Sequence, residues 1–131
     1  MRRRRARFPE TGAAATEAVL LTPVLLLVVL VVVQFGLWYH AGQVVRAAAS
    51  EGARTARVEA STAEAGRVRA VEFLAATGPS IVRDPVVTAT VDGERATVRV
   101  TGRAAHIIPG LSMPVRATAV SVVERFREDA P

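Results

Sequence analysis

From Ala18 to Tyr39 the chain reads AVLLTPVLLLVVLVVVQFGLWY, with no charged residue and no polar stripe at helical spacing. At 1.5 Å of rise per residue, roughly 22 residues make a helix of about 33 Å, enough to cross a hydrocarbon core of about 30 Å. Val24 to Val33 is apolar on every side and must face lipid or other apolar helices. Pro23, in the first turns, removes one helix hydrogen bond and predicts a mild kink. Gln34 is the one strongly polar side chain deep in the run, placed either to bond to a neighbouring helix or to reach the outer interface.

Beyond the span, His40 to Glu59 keeps helical composition without Pro, which predicts that the helix continues outward. Small residues recur every four positions, as Ala48, Gly52, Ala56 and Ala60 and as Ala41, Val45, Ala49 and Ala53. Such a stripe either lets another backbone come close or reflects the helix propensity of alanine. Glu51 and Arg54 are spaced to pair on this helix. Ser61-Thr62-Ala63-Glu64 reads as a capping box that starts a second helix, with Val68, Val71, Leu74 and Ala75 on its apolar flank and Gly78-Pro79 as its stop.

From Val86 the period drops to two. Val87, Ala89 and Val91 alternate with threonines, and after Asp92-Gly93 the residues Ala96, Val98 and Val100 alternate with Arg95, Thr97, Arg99 and Thr101. This is a hairpin with one apolar face. A two-residue loop would set Ala89 against Ala96 and a four-residue loop Val91 against Ala96, whereas a three-residue loop would mix the faces. Two strands alone are marginal, so a third is expected over Val115 to Val123. The intervening Ile107-Ile108-Pro109-Gly110-Leu111 either caps the core or meets a partner, and a small sheet's need for apolar area favours capping. The pattern therefore predicts an α+β chain: a long amino-terminal transmembrane helix extended outside the membrane, a short second helix and a small three-stranded antiparallel sheet. Its parts are a basic leader over 1–12, the helix and its extension over 13–60, and a small domain over 61–131. Arg125 to Pro131 reads as a charged, frayed tail.

Charge orients the span. Arg2, Arg3, Arg4, Arg5 and Arg7 precede it against Glu10, while the part from His40 onward is nearly balanced. By the positive-inside rule the amino terminus is cytoplasmic and the carboxy-terminal domain extracytoplasmic, with Trp38 and Tyr39 at the outer interface. A cleaved signal peptide would have an apolar core of about 7 to 15 residues and a small-x-small site, and this run is longer with only Ala41 and Gly42 to offer. There is no cysteine, so neither a disulfide framework nor a thiolate metal site exists.

Gly12 and Glu17 add a second layer of meaning. A cut after Gly12 would make Ala13 the first residue and Glu17 the fifth, at the start of the apolar helix. Glu17 alone is equally a first-turn carboxylate favoured by the helix dipole. Together with the basic leader, however, the arrangement resembles type IV prepilins. In that family the carboxylate pairs with the free amino terminus of an adjacent subunit, which lowers the cost of a charge at membrane depth. The Ala-rich form Ala48-Ala49-Ser50-Glu51-Gly52-Ala53-Arg54-Thr55-Ala56, following a membrane helix that opens with Glu and carries an early Pro, is similar to the TadE-like family of tight-adherence pilus assembly proteins. The resemblance covers residues 10 to 60. It implies a minor pilin or pseudopilin of a Flp-type pilus or secretion machine, with processing at Gly12 and Ala13 by a prepilin peptidase, assembly through Glu17, and helix packing through Ala48, Gly52 and Ala56. Its partners would be the membrane, other pilin-like subunits and pilus assembly proteins.

No catalytic constellation accompanies this. His40 and His106 have no cysteine or carboxylate arrangement around them, and no phosphate-binding glycine loop or metal-ligand spacing occurs. The sheet lacks aromatics that could stack on bases. No enzyme activity, cofactor, metal, nucleic acid or small-molecule substrate is expected. The alternative from another class is a membrane-tethered extracytoplasmic binding module that does not assemble into pili.

Overall fold

The computed structural model describes residues 10–58 and 62–122. The arginine leader, Glu59, Ala60, Ser61, Val123 and the charged tail lie outside the described residues. Two compact units divide between Val33 and Gln34. A single helix, α1 (Glu10–Ala56), supplies residues to both, followed by α2 (Ala63–Thr77), β1 (Val82–Asp92), β2 (Arg95–Ala104) and β3 (Pro114–Val122). The chain is α+β, as the periodicities predict.

The first unit is helical from Glu10, and Ala14 to Val33 is exposed throughout. Two of its threonines bond back onto their own helix: Thr16 donates to the Gly12 carbonyl at 2.9 Å and Thr22 to the Ala18 carbonyl at 2.7 Å. Internal satisfaction of this kind is what a helix surrounded by hydrocarbon requires.

The second unit packs the rest of α1 and α2 on one face of an antiparallel sheet of order β1-β2-β3. Along α1 the buried positions are Gln34, Ala41, Val44, Val45, Ala48, Ala49, Gly52, Ala53 and Ala56, a stripe at three- and four-residue steps. Val98 and Val100 of β2 are fully buried opposite it, each worth about 1.5–3 kcal/mol of burial. Val87, Ala89, Ala117 and Ala119 flank them from the outer strands.

The hairpin takes the register with Val91 opposite Ala96 and extends it to Asp92 opposite Arg95, so Gly93-Glu94 makes the turn, with Gly93 at φ +56°. β3 pairs Val98 with Ala119 and Val100 with Ala117, which leaves Val120 and Val122 on the exposed face.

β1 starts at Val82, four residues before the alternation at Val86 becomes readable. The intervening pairing jumps from Arg83 opposite Arg103 to Val86 opposite Thr101. Asp84 and Pro85 together therefore oppose Gly102, a bulge that absorbs a residue without an N–H and lets Asp84 take φ +48°. Gly102 is required there, because a Cβ would lie 2.7 Å from Val82 Cγ1 and 3.1 Å from the Arg83 carbonyl. The Arg103 guanidinium spans the bulge to the Asp84 carboxylate.

Helix α2 departs from expectation at its start and on its buried face. Its N-cap is Thr62, whose Oγ accepts from the Ala65 N–H at 3.1 Å, so the cap sits one residue later than the Ser61 capping box. Glu64 instead accepts from Arg67, at 2.8 and 2.5 Å. The Arg67 hydrogen bond holds the Glu64 carboxyl below its ordinary range and pushes the guanidinium up.

The predicted apolar flank contributes only Leu74 to the core. Val68, Val71 and Ala75 are exposed, while Gly66, Ala70 and Leu74 turn inward. Close approach of two helices selected the small residues over the larger ones. Glu51 also finds its partner across this contact, accepting from Arg69 of α2 at 2.9 Å and not from Arg54.

Candidate functional site

The residues singled out in the sequence fall on two stretches of α1, one in each unit. Gly12 and Ala13 lie in its first turn, and Glu17 follows one turn later, exposed. A side chain at Gly12 would meet nothing within 4 Å. The Gly12 carbonyl accepts from the Thr16 hydroxyl one turn on.

Ala48, Gly52 and Ala56 belong to the other stretch and are buried within the second unit. A Cβ on Gly52 would lie 2.7 Å from the Gly66 carbonyl, 3.0 Å from Ala70 Cβ and 3.2 Å from Val98 Cγ1. One on Gly66 would lie 2.7 Å from Ala56 Cβ and 2.8 Å from the Gly52 carbonyl. The two glycines thus let α1 and α2 touch backbone to backbone. The close neighbour of the small-residue stripe is this chain's own second helix. Gly66, Ala70 and Leu74, at four-residue spacing, were the readable signal for that partner.

Gln34 has a role that sequence reasoning missed. Neither a neighbouring helix nor the interface takes its amide. Its Oε1 accepts from the Ile107 N–H at 2.9 Å and its Nε2 donates to the Ala105 carbonyl at 3.2 Å, and the side chain is completely buried. One amide therefore satisfies both a donor and an acceptor in the β2–β3 connection, which no apolar residue could do. Its phase gives it away, since Gln34, Ala41 and Ala48 are seven residues apart and share a helix face. One turn on, Trp38 Nε1 donates to the Pro114 carbonyl at 3.2 Å and meets Phe35 edge to face, with centroids 6.4 Å apart.

The connection held by these bonds does not cap the core, contrary to the expectation for Ile107 to Leu111. Ile107 and Leu111 are exposed. Pro109 and Gly110, the latter at φ +80°, form a reverse turn closed by the Leu111 N–H on the Ile108 carbonyl at 3.2 Å. The core is filled instead by the α1 stripe, whose small residues already cover the sheet.

The second unit also carries an open groove of about 740 Å³ beside the β1 bulge, lined by Val71, Leu74, Arg83, Asp84, Arg103 and His106 among others. Among the described residues no group of three or more His, Cys, Asp or Glu is placed to hold a metal ion. His106 lies in the β2–β3 connection, and His40 is exposed on α1.

One comparison bears on the segment that carries all but one of the candidate positions in α1. Residues 12–54 match the family model described as TadE-like protein. That segment is similar to the TadE-like family. The TadE-like match takes in Gly12, Ala13, Glu17, Ala48 and Gly52 and stops before Ala56, α2 and the sheet. The same stretch holds most of the one candidate membrane span among the described residues. No curated protein and no solved structure matches the chain.

Proposed function

We propose that this chain is a minor pilin or pseudopilin-like membrane component of a Flp-type pilus assembly or secretion machine, structural and not catalytic. The observation that carries the reading is the TadE-like match over 12–54. Within it, the exposed run Ala14–Val33 is of bilayer length, about 30 Å for roughly 20 residues. In this reading α1 crosses the cytoplasmic membrane once, with the arginine leader in the cytoplasm and the sheet domain outside. A prepilin peptidase cuts between Gly12 and Ala13. Glu17, exposed at the start of the apolar run, then pairs with the new amino terminus of an adjacent pilin-like subunit.

Intact mass of the membrane-extracted protein, expressed with its matching prepilin peptidase, tests this. The expected product begins at Ala13 and is lost in Gly12→Ala. A full-length product beside an active peptidase refutes processing.

A second reading, a membrane-tethered extracytoplasmic binding module that does not assemble, draws support from the stripe itself. Ala48, Gly52 and Ala56 are occupied within the chain and leave no small-residue surface there for a second subunit. Under this reading the leader stays uncut and the span stays monomeric.

A further inference from the structure

We propose that the turn Ile107–Leu111 is a membrane-contacting element, whose exposed apolar side chains enter the lipid surface. The inference rests on the reading of Ala14–Val33 as that span. Gln34, the next residue in the chain, binds the Ala105 carbonyl and the Ile107 N–H directly. The start of the turn is thereby tied to the residue that directly follows the lipid-length run in the chain.

The turn's exposed surface suits lipid contact. Ile107 is 50% exposed and Leu111 41%, and between them Pro109 and Gly110 make a turn whose backbone is partly satisfied internally. Unpaired backbone is what keeps most loops out of hydrocarbon, and the Gln34 amide and the Leu111-to-Ile108 bond remove part of that cost.

The surrounding residues are those that favour an interface. Phe35, Trp38 and Tyr39 follow on the next turn of α1, all exposed. Trp38 keeps its indole N–H on Pro114, at the far end of the same connection. An aromatic collar and an apolar turn at one level are suited to the boundary between headgroups and acyl chains. Burying the turn in lipid also accounts for exposed isoleucine and leucine side chains that the core does not use.

The chain has no cysteine, so Leu111→Cys, Ile107→Cys, Val28→Cys and Thr88→Cys each give a single labelling site. The full chain, carrying an environment-sensitive fluorophore at one of these positions, is placed in phosphatidylcholine nanodiscs. It is then probed with nitroxide lipids quenching near the headgroup or near the chain centre, and with iodide in the water. The expected result is a blue-shifted label at Leu111 and Ile107, quenched more by the shallow than by the deep nitroxide. Val28 should show the opposite order and Thr88, on the outer sheet face, quenching by iodide alone.

Quenching of Leu111 and Ile107 by iodide alone, with Val28 still quenched by the deep nitroxide, overturns the proposal and leaves the span standing. A label at both positions shielded from lipid and iodide alike overturns it in favour of a second copy as occupant. Iodide quenching at Val28 removes the span and the proposal with it.

Discussion

Val24–Val33 and Ala41–Ala56 are successive stretches of one helix, and the more hydrophobic stretch is the exposed one. Valine and leucine side chains of the first stand free, while alanines of the second are fully buried. Burial here follows geometry and not hydrophobicity. Bulky side chains all round a helix hold other backbones away and suit fluid lipid, whereas a stripe of mostly small side chains lets α2 and the sheet come within contact of α1.

The sharpest way to break this contrast is a charge in the exposed stretch. Val28→Arg should cost about 2.5–3.5 kcal/mol of insertion, read as loss of the protein from the carbonate-resistant membrane fraction. Normal retention would mean that Ala14–Val33 is not in lipid. Adding bulk to the buried stretch comes next. Gly52→Val drives a side chain against the Gly66 carbonyl and Ala70, and should cost about 1–3 kcal/mol, seen as a lower thermal midpoint in detergent. An unchanged midpoint would show that α1 and α2 do not touch there.

Gln34→Leu, at the junction of the two stretches, strands the Ile107 N–H and the Ala105 carbonyl. A loss of about 1–3 kcal/mol is expected, with faster amide exchange at Ile107 as the local signature. Gly42 lies on α1 where a Cβ would meet nothing within 4 Å, so Gly42→Ala should raise stability by up to about 1 kcal/mol through helix propensity alone. Opposite signs at Gly42 and Gly52 would separate propensity from packing.

The smallest effect concerns pH. Because Arg67 holds the folded Glu64 pKa below its ordinary value of 4.5, the pairing stabilises α2 above that value, and the contribution is lost as pH falls through the folded pKa. Glu64→Gln should therefore melt slightly lower than the parent at pH 7, with the two midpoints converging in acid. A gap that persists in acid would point to a different cause.

Much of this was readable from local pattern. The apolar run, the Gly78-Pro79 stop and the alternation Ala96-Val98-Val100 each name their element, because period and turn chemistry act within a few residues. The hairpin loop was readable only to two alternatives, since both keep apolar side chains on one face. The β1 bulge was not readable, because Asp84-Pro85 signals a break unless Gly102 on the opposite strand is known to make room.

At the candidate site, Gly12, Ala13 and Glu17 were visible as a spacing, and Ala48, Gly52 and Ala56 as a stripe. The sequence by itself determined that one helix carries an apolar stretch long enough to cross a membrane and a stripe of small residues, because composition and periodicity are properties of the helix alone. Only the tertiary structure decided what the small surface meets, that α2 turns Gly66 and Ala70 inward in place of Val68 and Val71, and that Gln34 holds a loop about 70 residues away. Those outcomes depend on which backbones can approach closely enough to touch and on which buried polar groups must then find each other, conditions that exist only once the elements are packed.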